Sequence, residues 1–214
     1  MRALAPAAVI AIGIFAVHPS AAAVVDPDMR VVVRTYDTSA TRGDLTHGLG
    51  VAAAILQKAG IGVTWVTCEP AANLRGDPCL VPLAVNQLAI RFVHLPPGQA
   101  PTDIVTLGDS LVDTRLRAGS LATIYLDRVS ALAARCDVDV NVLLGRAIAH
   151  EIGHLLLGTS AHAVSGLMRS AWSFDAIRHD RPAAWAFTSR DARDMRNAVR
   201  VRQSRLRAAA KLGE

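Results

Sequence analysis

Residues 29–36, which include Val31, Val32, Val33 and Thr35, are rich in β-branched side chains and predict a strand. Over 44–59 the period changes. Leu45, Leu49, Ala52, Ala53, Leu56 and Ala59 recur at helical spacing, and Gly60 ends the run. Further strands are predicted at 62–67 and 88–95, the second closed by Pro96, Pro97 and Gly98, with shorter ones at 104–107 and 121–126. Directly after them, 140–157 is apolar around nearly its whole circumference and free of proline, which predicts a helix buried in a core. Asp139 or Asn141 can cap its start, and Gly158 can end it. A last helix, 189–212, follows Thr188, with Asp191 as its capping partner and a narrow stripe of Ala192, Met195, Val199, Val201 and Leu206. This order of elements predicts an α+β fold in one domain: a sheet with helices packed on it.

The buried helix also carries the most specific chemistry. His150 and His154 are four residues apart, so both imidazoles lie on one helix face and can share one Zn²⁺. Glu151 points to the side of the pair, where it can take a proton from water instead of binding the metal. A helix carrying two histidines by accident is the plain alternative, but histidine and glutamate in so apolar a setting are costly unless paired or metal-bound. Catalytic zinc usually has three protein ligands and an open position. His162, just beyond the break at Gly158, is the nearest third ligand. Asp175, Asp180, Asp191 and Asp194 are the acidic alternatives, with Asp191 and Asp194 read as ordinary residues of a helix start. His47, His94 and His179 are read as surface or strand-end residues. Trp172 and Phe174 are read first as core packing and second as the lining of a substrate pocket.

At His150, Glu151, His154, Gly158, His162 and Met168 the sequence resembles the metzincin zinc metallopeptidases, whose signature is HExxHxxGxxH followed by a methionine turn. It is most similar in character to archaemetzincins or a divergent family of small secreted bacterial proteins. The match is not letter for letter. One extra residue separates His154 from Gly158 and another separates Gly158 from His162, and the second, cysteine-rich zinc site of archaemetzincins has no counterpart. The resemblance covers residues 121–168, and within it 122–129 resembles a strand of that family. It implies a zincin architecture: a twisted mixed sheet over two long helices, with a small C-terminal helical lobe. It also implies Zn²⁺ on His150, His154 and His162, Glu151 as catalytic base, and Met168 as an apolar floor beneath the histidines. The segment 104–111 would be the sheet edge that pairs with a bound peptide.

Composition adds the cellular setting. Arg2, the apolar run 9–17 and the small residues Ala21, Ala22 and Ala23 predict a signal peptide over 1–23, leaving 24–214 as the catalytic domain, secreted or periplasmic. The run is shorter than the about 20 residues a membrane span needs, and no later segment is long and apolar enough, so no stable membrane insertion is expected. In an oxidising compartment Cys68 and Cys79 would form a disulfide, which leaves Cys136 odd. The net charge of +5 is matched by residues 190–214 alone, where eight basic side chains face three acidic ones. Without interleaved aromatics or a known motif this is no nucleic-acid signature, and it reads as a solvated helix face that would attract anionic cell-surface polymers. Three functions fit: a metalloendopeptidase acting on peptides or proteins, a zinc-dependent amidase on a non-protein substrate, and a catalytically silent zincin-fold binding protein. Glu151 favours the first two, because a purely structural zinc site has no use for a base.

Overall fold

The three consecutive valines at 31–33 start the central part of a five-stranded sheet. The computed structural model describes residues 26–37, 45–68, 77–96, 98–101, 105–179 and 181–212, so the segment read as a signal peptide and the candidate ligand Asp180 lie outside the described residues. The strands are β1 (Arg30–Asp37), β2 (Gly62–Cys68), β3 (Gln87–Val93), β4 (Gly108–Asp113) and β5 (Ala118–Tyr125), in the spatial order β2-β1-β3-β5-β4. Neighbours are parallel except at the β4–β5 edge, which is antiparallel. The sheet is therefore mixed.

Along β1, Val31 and Val33 enter the core while Arg34 lies on the other face. Arg34 is nevertheless buried, because a loop covers it. Its guanidinium donates to the carbonyls of Val81 and Pro82 at 2.7 and 3.3 Å and to Oε1 of Gln87 at 2.6 Å. That loop starts near Cys79, which a disulfide ties to Cys68 at the end of β2. Cys136 is a buried free thiol.

The helices are α1 (Thr46–Lys58), α2 (Leu126–Cys136), α3 (Val140–Leu157), α4 (Phe174–Arg178) and α5 (Ser189–Leu212). Every residue of α3 from Leu143 to Leu156 is buried, which explains a sequence with no polar face. Asp139 caps it, accepting from the backbone N–H groups of Asn141 and Val142. Helix α1 lies close against α3 through two glycines. A Cβ on Gly145 would come within 2.5 Å of Val51, and one on Gly48 within 2.7 Å of Leu144. No described helix is long and apolar enough to cross a membrane.

Three expectations need correction. The active-site helix does not directly follow the strand predicted at 121–126: β5 runs Ala118–Tyr125, and α2 stands between them. Leu126, Val129, Leu132, Ala133 and Cys136 form the buried stripe of α2, so the segment 122–129 is strand only in its first half. The strand expected at 104–107 is displaced to Gly108–Asp113, where burial alternates residue by residue. Its polar Asp109, Ser110 and Asp113 hid it, because an edge strand need bury only one face. Finally, α5 is more than a solvated face on a stripe. Ala192, Met195 and Val199 do dock, but Val201 is half-exposed, and polar side chains, two arginines foremost, add further anchoring. Arg196 donates to the carbonyl of Ala59 at 2.8 Å, and Arg202 donates to those of Val85, Gly119 and Leu155 at 3.1, 2.7 and 3.2 Å.

Two glycines provide opposite tests of this packing. Gly158 has φ 63°, and a Cβ there would lie 2.2 Å from the carbonyl of Arg117. Gly158→Ala is expected to cost more than about 2 kcal/mol in urea unfolding, through strain and collision together. Gly50 is exposed on α1 with nothing within 4 Å of an added Cβ. Gly50→Ala is expected to stabilise by about 0.5–1 kcal/mol, the helix-propensity gain. Equal effects of the two substitutions would contradict the packing described.

Candidate metal centre

Helix α3 ends by turning its last bonds inward. The N–H of Gly158 donates to the carbonyl of His154 at 2.9 Å, and the left-handed turn at Gly158 folds the chain back on the helix. The carbonyl of Thr159 thereby comes within 2.8 Å of Nδ1 of His154. Farther on, Ala163 and Met168 close a tight turn through a 2.8 Å backbone bond, and Leu167 donates to Ala186 at 2.8 Å. This docks the turn so that the carbonyl of Leu167 lies 2.9 Å from Nδ1 of His150.

These two contacts settle the state of both rings. A carbonyl can only accept, so each Nδ1 carries the hydrogen and each neutral ring keeps a lone pair on Nε2. Burial is the main reason both rings stay neutral: it pushes His150 down to about 4 and also lowers His154. The two Nε2 atoms then face one another at 3.1 Å, and Nε2 of His162 lies 3.3 Å from that of His154. All three ligand atoms fall within 4.8 Å of one another. Nitrogens about 2.0–2.1 Å from a tetrahedral ion are about 3.3 Å apart, so the His150–His154 and His154–His162 spacings fit a single Zn²⁺, and the widest pair of the cluster would close in on binding it. Lone pairs aimed at each other across this distance repel unless a cation lies between them. The donor set therefore fits zinc, with two buried ligands and an exposed third.

Glu151 lies to one side of this cluster, 6% exposed. Its Oε2 accepts a 2.6 Å bond from the hydroxyl of Ser110 on β4. Burial pushes its carboxyl up to about 7, the Ser110 bond pulls the other way, and Asp109 adds a smaller upward push. The strand can approach so closely only because residue 108 is glycine. A Cβ there would meet Glu151 Cγ at 2.9 Å and the carbonyl of Thr123 at 2.8 Å. Ser110 lies within the segment 104–111 read as a sheet edge, but nothing local marked its hydroxyl as the partner of Glu151, 41 residues away.

Met168 is fully buried against α3: a Cβ on Gly153 would come within 2.5 Å of its sulfur. It thus sits beneath the helix turn that separates the two histidines. Trp172 packs edge-on to both His150 and Trp185, with centroids 5.6 and 5.0 Å apart. It also lines a cavity of about 210 Å³ beside His150 and Glu151. Phe174 lines the same cavity and is 40% exposed, so core packing is not its role. The described acidic alternatives, Asp175, Asp191 and Asp194, have other partners. Asp191 is used in capping α5, where it accepts from the hydroxyl and backbone N–H of Thr188. Asp194 pairs with Arg190 and Arg193, and Asp175 with His179. His47 is exposed, and His94 faces Asp127 at 3.5 Å.

Among solved structures the chain is similar to archaemetzincin from Methanopyrus kandleri, with a TM-score of 0.50 and 14% identity over 82% of this chain and 98% of that one. It is also similar to a zinc-dependent peptidase from Methanocorpusculum labreanum, with a TM-score of 0.47 and 14% identity over 77% of this chain and 99% of that one. No protein-family model matches the sequence, and no curated protein matches it. The mixed five-stranded sheet with its helices is an archaemetzincin-like fold.

Among the buried titrating groups of the site, Glu151 acts on stability in the metal-free protein oppositely to His150 and His154. His150 binds its proton only near 4 when folded but near 6.5 when unfolded, so its contribution is present above 6.5 and is lost as the pH falls to 4. Folded Glu151 keeps its proton up to about 7, whereas the unfolded carboxyl releases it near 4.5. Its contribution is present below 4.5 and is lost as the pH rises through 7. The two slopes oppose each other between 4.5 and 6.5. Glu151→Gln removes the falling one, so the urea midpoint of the metal-free variant is expected to climb across that window more steeply than that of the wild type. Parallel profiles would refute this assignment.

Proposed function

We propose that the protein is an exported zinc-dependent peptidase in which His150, His154 and His162 hold the metal and Glu151 is the general base. The observation that carries this reading is the 3.1 Å approach of two Nε2 lone pairs whose rings are each fixed by a backbone carbonyl. The archaemetzincin-like fold supports it, since the solved structures of similar shape are a zinc-dependent peptidase and an archaemetzincin.

Bound zinc would supply the Lewis acid, lowering the pKa of water and polarising a carbonyl. The remaining tasks belong to the chain. Glu151 accepts the proton of the attacking water as the water oxygen adds to the peptide carbonyl carbon. When the C–N bond breaks, the same carboxyl returns that proton to the departing nitrogen, and a carboxylic acid and an amine result. Ser110 holds one carboxyl oxygen and leaves the other for proton transfer. Strand β4, last in the sheet order, presents its outer edge for pairing with an extended peptide close to Glu151. Export is supported by the basic and apolar pattern of residues 1–23 and by a disulfide, which suits an oxidising compartment.

Two substitutions test this reading. Glu151→Gln is expected to keep stoichiometric zinc while turnover of a quenched peptide library falls about 10²–10⁴-fold, the range for loss of a general base. His162→Ala is expected to lose the metal, as measured by mass spectrometry of the purified protein. Full activity in the first variant, or a wild type that binds no zinc, would overturn the proposal.

A further inference from the structure

The cavity beside His150 and Glu151 is walled largely by apolar groups, among them Leu132, Ala147, Trp172 and Phe174. Apart from histidines it contains a single basic side chain, Arg169. The backbone of this arginine is fixed, since Arg169 bridges to Ala163 across the turn that follows His162. Its Nη2 is buried and has no hydrogen-bond partner among the described residues.

Stacking on Trp185 does not account for Arg169. The ring is already covered by Arg146, whose guanidinium carbon lies 4.0 Å from its centroid, while that of Arg169 stands off at 5.6 Å. Two cations therefore crowd one indole, and the outer one lines the cavity while one of its N–H groups stays buried without an acceptor among the described residues. A guanidinium in such a place is matched by an acceptor carrying one negative charge. Two features select a carboxylate over a phosphate: a single basic group, and apolar walls that would leave a second negative charge unpaired.

We infer that Arg169 binds a carboxylate of the substrate in this cavity, so that the site prefers peptides carrying a negative charge next to the bond it cleaves. The carboxylate belongs to an acidic side chain or to the free C-terminus of the peptide. The substrate half of this statement rests on the peptidase reading, whereas the carboxylate site rests only on the cavity and Arg169.

The test is a fluorescence titration of the zinc-loaded full chain carrying Glu151→Gln, because Trp172 lines the cavity and reports its occupancy. Three acetylated pentapeptides serve as probes: a central Glu with a C-terminal amide, a central Gln with an amide, and a central Gln with a free acid. At least one acid peptide is expected to bind about tenfold tighter than the neutral Gln amide, the usual scale for a charged hydrogen bond. Preference for the first assigns the carboxylate to a side chain, and preference for the third assigns it to the C-terminus. Adding Arg169→Gln is expected to bring the ratio to about one, and Arg169→Lys to retain part of it. Adding Arg169→Glu is expected to favour a central Lys. Melting temperature and zinc content confirm that each variant is folded. A ratio near one in the parent, or a ratio unchanged by Arg169→Gln, would overturn the inference. Loss of the peptidase reading would appear separately, as wild-type protein that cleaves no peptide while the Arg169-dependent ratio persists.

Discussion

Two hydrogen bonds from imidazole to backbone decide what this site can be. The carbonyls of Thr159 and Leu167 each accept a ring hydrogen, from His154 and His150, and so point the opposite nitrogens at one another. Neither carbonyl belongs to the helix that bears the rings. Thr159 is brought back by the left-handed turn at Gly158, and Leu167 is held by the docking of its own N–H on Ala186. The helix supplies spacing, and the chain beyond it supplies tautomer and aim. A pair of histidines one helical turn apart would otherwise have rings free to rotate into other partners.

Close approach is the second constraint. Glu151 can be buried and yet oriented because β4 passes beside it at Gly108, near enough for Ser110 to reach the carboxyl. On another side of the same helix Gly153 admits Met168 and Phe187, so the turn beneath the histidines fits directly against α3. In the metal-free protein, burial raises the carboxyl to about 7 despite the Ser110 bond. The tight packing is thus chemical as well as mechanical. It removes water from the base without removing its one orienting partner.

The parts legible in the sequence are those whose cause is local. Helix α3 announced itself through its apolar circumference, its Asp139 cap and its glycine stop, and the three histidines that the fold brings together lie within 13 residues of one another. What stayed hidden depends on distant neighbours. Helix α2 was masked because Thr123 and Ile124, strand residues, run without punctuation into its amphipathic stripe. Strand β4 was read at the sheet edge but set a few residues early, because an edge tolerates Asp109 and Ser110, and nothing local tied that serine to Glu151. Phe174 looked like core, but only the folded chain shows that the space beside it is a cavity.

The positive charge of the C-terminal helix shows the same limit of local reading. Its arginines suggested a solvated surface, yet Arg196 caps the carbonyl of Ala59 and Arg207 pairs with Asp28. Arg202 reaches farthest. Burial lowers its pKa, but a guanidinium remains charged in that setting, and three backbone carbonyls share its charge. One of them belongs to Leu155, the residue after His154, in the last turn of α3, where carbonyls lack helical partners. Another belongs to Gly119 on β5, so a single side chain ties the end of the histidine-bearing helix to the sheet. The helix must stop at Gly158 to let Thr159 turn back, and stopping leaves its final turn short of hydrogen bonds. Arg202 supplies a donor there, which makes α5 part of the support of the metal centre.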